Sequence, residues 1–149
     1  MRDPRAALDN IMEALLFTYQ YDARRRTFVL ITEYPFTSPG SVREFAAFVF
    51  EDAEFRRLPG DHGAYQGHGE SFQASGPGAF VIQSIRQKAD RLELWFGPNF
   101  GGVAVTYRQV RGFTRGSTAE RVGPDEWIYR DARTRQRFDF DYPFPSLRG

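Results

Sequence analysis

Arg91-Leu92-Glu93-Leu94-Trp95-Phe96 runs, past the turn formers Pro98-Asn99 and Gly101-Gly102, into Val103-Ala104-Val105-Thr106-Tyr107. Leu92, Leu94 and Phe96 alternate with Arg91, Glu93 and Trp95. Only a strand sends successive side chains to opposite faces, so a period of two predicts one buried and one wet face. Pro, Asn and Gly between the runs supply the backbone angles of a tight reversal. Upstream, Phe80 to Arg86 reads as a further strand, with Lys88-Ala89-Asp90 as the turn into Arg91. Hairpin follows hairpin, and the sheet is predicted to be antiparallel.

The same pattern extends towards both ends. Leu16 to Tyr21 and Thr27 to Tyr34 are aromatic and β-branched, and they flank the polar stretch 22–26 as a hairpin would. Trp127 to Arg130 and Arg137 to Tyr142 embrace Asp131-Ala132-Arg133-Thr134, with Phe138, Phe140 and Tyr142 alternating with Arg137, Asp139 and Asp141. Ahead of the first hairpin, Asp3-Pro4 is a helix start, and Leu8, Ile11, Met12, Leu15 and Leu16 follow helical spacing. A helix is predicted over about 4–16. Residues 42–57 are ambiguous: Ser41 and Glu44 have capping-box spacing, whereas Phe45 to Phe50 reads as a buried strand. A loose parallel between 47–54 and 104–111 favours the strand. Gly60 to Gly78 is a glycine-rich loop, and 143–149 a loose tail. The expected architecture is α+β and mostly β. An antiparallel, strongly curved sheet or small sandwich or barrel of about seven or eight strands carries one N-terminal helix, in a single domain over 1–149.

Composition narrows the function classes. A hydrophobic fraction of 41% with fifteen phenylalanines supplies a ring-rich core, and argues against disorder. The net charge of +1 sets up no broad field for nucleic acid or an anionic membrane. Of 20 basic residues only Lys88 is a lysine, a bias that codon usage explains and that also suits carboxylate pairing and ring stacking. The absence of cysteine removes disulfides, thiolate nucleophiles and cysteine-bound zinc. No signal-like start and no apolar run of about 18–20 residues is visible, so a cytoplasmic protein, without membrane contact, is expected.

No residue set carries recognisable catalysis, and neither a metal centre nor a cofactor is expected. His62 and His68 lie near Asp61 and Glu70, but six residues apart in a loop they match no metal-ligand spacing. Asp61, His62 and Ser71 have the residue types of a nucleophilic triad without a Gly-x-Ser-x-Gly elbow. Asp139 and Asp141 share a strand face about 7 Å apart, with Arg137 beside them, which is the composition of a solvated charge ladder. Trp95 beside Arg91 has the composition of a binding hot spot if its face is open, and Trp127 and Tyr129 pose the same question. The tentative binding set is therefore Trp95, Arg91, Arg137, Asp139, Asp141, His62 and His68.

The expected function is a non-enzymatic protein-binding module, such as a bacterial immunity protein or an accessory subunit of a larger assembly. Two alternatives are an Arg-rich nucleic-acid-binding domain, and a small-ligand or hydrolytic site under the 60–78 loop. A protein partner is expected ahead of nucleic acid.

Overall fold

At the N-terminus, Oδ1 of Asp3 accepts from the Ala6 N–H at 3.1 Å and Pro4 opens the helix, as the capping chemistry requires. In the computed structural model, which describes residues 1–34, 40–59, 71–73, 81–96 and 101–138, helix α1 is only Pro4–Leu8. The expected helix over 4–16 is corrected to a single turn and a half. From Asp9 onward the N–H groups bond three residues back, to Ala6, Ala7 and Leu8, and Glu13 takes a left-handed φ of 68°. Glu13 then donates to the Ile82 carbonyl at 2.7 Å, and Ile82 returns a bond to Ala14 at 3.0 Å. Leu8 and Ile11 are both buried. A spacing of three turns these two side chains inward in tight turns as well as in a helix, whereas Met12, expected on the same buried stripe, is 54% exposed.

Ten strands follow among the described residues: β1 Leu16–Asp22, β2 Thr27–Glu33, β3 Arg43–Glu51, β4 Glu54–Leu58, β5 Ser71–Gln73, β6 Ser84–Lys88, β7 Arg91–Trp95, β8 Gly102–Thr106, β9 Gln109–Gly123 and β10 Glu126–Asp131. They form two antiparallel sheets, of order β10-β9-β3-β2-β1-β5 and β4-β8-β7-β6. The described strands do not close the two sheets into a barrel. Asp22 makes the first reversal by accepting from the N–H groups of Arg24 and Arg25, and Arg26 completes it in the left-handed region.

The ambiguous stretch 42–57 is strand. Inside β3, Phe45 through Phe50 are all buried because β2 and β9 flank the strand and both of its faces are covered. Ala46, Phe48 and Phe50 enter the core between the sheets, while Phe45, Ala47 and Val49 join a second cluster with Val29, Ile31 and Phe138. A strand covered on both sides loses its alternation, which is why its pattern imitates a helix.

At Asp52 (φ 50°) the chain leaves the large sheet and continues as β4 in the small one. The return passage from β8 to β9 runs antiparallel alongside it, through Tyr107 and Arg108. Arg108 closes this corner, bonding the Glu51 carbonyl at 3.1 Å through its backbone and Asp52 at 2.6 Å through Nε. The similarity between 47–54 and 104–111 thus marks the two segments that pass from sheet to sheet. Between the sheets, the rings of Tyr19, Phe28, Phe55 and Phe96 gather with centroids 5.5–6.4 Å apart, against Leu92, Leu94, Val103 and Val105.

Two expectations about strands change. The glycine-rich loop contains β5, which pairs with β1 through Tyr19↔Phe72. The run 104–111, read as one strand, divides at 107–108 between β8 and β9, and β9 continues beyond it to Gly123; its glycines 112 and 116 lie where Met1 and Ser41 pack closely, and so serve the sheet rather than interrupt it. Arg137 makes an isolated bridge to Arg130 and the Phe138 N–H bonds the Tyr129 carbonyl at 2.8 Å; residues 139–142 of the proposed strand, and the tail 143–149, lie outside the described residues.

Tyr107 is 4% exposed, and its hydroxyl has no hydrogen-bond partner. Burial pushes this phenol up from its ordinary range, against the Arg5 guanidinium over its ring and with the help of Asp90. An unsatisfied buried hydroxyl costs about 1–3 kcal/mol. Tyr107→Phe is therefore expected to leave stability unchanged or raise it by about 1 kcal/mol. Urea denaturation measures this, and a clear loss would mean that the hydroxyl has a partner.

Candidate functional site

The register of the four-stranded sheet places every side chain of its outer face. Residues that alternate with Leu92 and Leu94 point away from the core, and three cross-strand rows result. The first is Glu54, Thr106, Arg91 and Lys88; the second Arg56, Ala104, Glu93 and Arg86; the third Leu58, Gly102, Trp95 and Ser84. Arg91 donates through Nη2 to Glu93 at 2.6 Å, along its own strand. Trp95 is half-buried at the end of the same strand, across from Gly102, so it is neither a core ring nor fully open.

The charge on this face is unbalanced. Eight ion pairs occur among the described residues, and they occupy Arg25, Arg26, Arg43, Arg91, Arg108, Arg111, Arg115 and Arg130. Arg43 and Arg115 also stack on Phe45 and Phe138, at 5.0 and 4.4 Å. Arg56, Arg86 and Lys88 are exposed and enter none of these pairs. Each alternates along an edge strand of the small sheet, β4 or β6, and the short hairpin β6–β7 fixes two of them beside Arg91 and Glu93. A rigid sheet carrying fixed, unneutralised cations next to an indole can hold carboxylates and an apolar side chain together.

The tentative binding residues disperse. Arg91 and Trp95 share the face just described, whereas Arg137 is exposed beside β10, on the other sheet. His62, His68, Asp139 and Asp141 lie outside the described residues, as does most of the 60–78 loop. Among the described residues no group of three or more His, Asp or Glu could hold a metal ion, and no helix is long and apolar enough to cross a membrane. The three free cations were missed by the sequence reading. Their alternation with Ile85 and Phe55 was visible, but strand order, which makes them neighbours, was not.

One polar site opposes the expectation that charges stay wet. Asp131, 5% exposed, accepts from Arg115 Nε at 2.6 Å and from the N–H groups of Arg133 and Thr134 at 2.8 Å each. Burial alone would raise this carboxyl, but the two amides and the guanidinium together hold it below the ordinary carboxylate range. The arrangement locks the turn after β10 and is structural. Comparison with protein-family models, curated proteins and solved structures finds no significant match for this chain.

Proposed function

We propose that this chain is a non-enzymatic protein-binding module that uses the outer face of its four-stranded sheet to hold an acidic segment of another protein. The supporting observation is that Arg56, Arg86 and Lys88 stand exposed on this face and form no ion pair, the two arginines one row from Trp95, so that with Arg91 the cations outnumber Glu54 and Glu93. A peptide, whose carboxylates can be spaced to meet the cations and to avoid Glu93 and Glu54 in the same rows, suits this face better than a nucleic-acid backbone, whose phosphates are evenly charged throughout. The overall charge of +1 favours the same choice. A partner held in this way fits the role of an immunity protein or of an accessory subunit in a bacterial assembly, working in the cytoplasm.

The test is a titration at about 50 mM salt with a synthetic Asp/Glu peptide containing one tryptophan, and in parallel with a single-stranded oligonucleotide. The peptide is expected to bind, and Arg56→Glu with Arg86→Glu to weaken it at least about tenfold, since two attractions become repulsions. Oligonucleotide binding with a steep salt slope, and none to the peptide, would replace this reading by the nucleic-acid one.

A further inference from the structure

Strand β9 is longer than the sheet that supports it. Its pairing with β3 ends at Ser117↔Arg43, while its pairing with β10 continues to Gly123↔Glu126. Six residues, 118–123, therefore project about 20 Å beyond β3 as a two-stranded ribbon. The ribbon's turn is rigid, because Arg121 donates to the carbonyls of Gly123 and Pro124 at 3.1 and 2.7 Å. Trp127 is 50% exposed and Val122 46%, the valine lying at the register shift beside the Trp127↔Arg121 pair. Asp125 and Glu126 at the turn are exposed and enter no ion pair.

We infer that the acidic segment which docks on the outer face of the small sheet is this ribbon tip, from a second copy of the same chain. The inference rests on the binding face proposed above and names its partner. At the tip, beside an exposed tryptophan, Asp125 and Glu126 outnumber Arg121; on the face, which also carries Trp95, Arg56, Arg86, Lys88 and Arg91 outnumber Glu54 and Glu93. The tip lies at the β10 edge of the large sheet, and the cationic face lies on the outer side of the small one, so the two join different copies. Such a contact is head-to-tail: each copy offers a tip to one neighbour and a face to another. A tip of this size covers little area, so the association is weak and salt-sensitive.

Sedimentation equilibrium of the full chain tests this. At about 50 mM salt the weight-average mass is expected to rise above the 17.2 kDa of one chain as concentration increases towards about 1 mM, and to return to it at about 500 mM salt. Asp125→Lys with Glu126→Lys, and separately Arg56→Glu with Arg86→Glu, are each expected to remain at one chain's mass. An equimolar mixture of the two variants should associate again, since a basic tip then meets an acidic face and an acidic tip a basic one. That recovery also requires both variants to be folded. Should either fail to fold, Glu126→Gln and Arg86→Gln replace them and are expected to lower the association constant severalfold. A wild-type chain at 17.2 kDa throughout, while the acidic peptide still binds, overturns self-docking and leaves the binding face standing. Loss of both overturns the two readings together.

Discussion

Gly102→Ala is expected to cost about 3 kcal/mol or more of folding stability, and to lower the melting temperature by about 10 °C. An added Cβ would stand 2.0 Å from the Leu94 carbonyl oxygen, 3.0 Å from its carbon and 3.1 Å from the Trp95 Cα. All three are backbone atoms of β7, the strand paired with Gly102. That strand cannot retreat, because Leu92, Leu94 and Phe96 on its inner face are seated in the core. At Gly112 and Gly116 the nearest atoms are instead Sδ of Met1 and Oγ of Ser41, ends of side chains that can move aside. Urea denaturation measures the loss. A change below about 0.5 kcal/mol would show that β7 and β8 do not approach this closely.

Asp131→Ala removes a carboxylate that serves both Arg115 and two turn amides. Arg115, with its side chain 19% exposed, would keep its stack on Phe138 and lose the 2.6 Å contact to this carboxylate. Losing a charge-assisted bond and leaving two turn amides without their acceptor costs about 2–4 kcal/mol. The same residue sets a pH dependence. Its carboxyl is lowered in the folded chain, so the stabilisation is fully present above the unfolded value of about 4 and is lost as pH falls through the folded value. Stability measured from neutral pH down to about pH 2 should therefore decline for the wild type. In Asp131→Asn, part of that decline should be missing. An unchanged acid limb in the variant would show that Asp131 is not held in its charged form by the fold.

The face holding Trp95 illustrates what was legible in the residues and what was not. Alternation along 91–96 separated Leu92 and Leu94 from Arg91, Glu93 and Trp95, and the burial of the first pair agrees. Alternation is a property of one strand, however, and says nothing of its neighbours. Lys88 and Arg91 adjoin a turn and could be paired on sight, but Arg56 reaches this face only because β4 joins β8 from the opposite side of β7. The sense of the Asp131 turn was likewise visible as polar residues between two strands. Its burial was not, since Asp131 is covered through Arg115, sixteen positions away.

Residue order alone determined the antiparallel β character, the hairpins around 22–26 and 88–91, and the capped start of a helix at Asp3-Pro4. Each of these rests on interactions between near neighbours: side-chain alternation, turn conformation and end-capping. Tertiary structure decided the length of that helix, the strand identity of 43–51, the passage of the chain between two sheets, and the gathering of three cations on one face. In those cases the deciding partner lies far along the chain. Ile82 draws the 13–15 backbone out of the helix, and β3 is paired along both edges by β2 and β9 while separate core clusters cover its two faces. Local propensity amounts to tenths of a kcal/mol per residue, and the burial and pairing supplied by such distant partners exceed it.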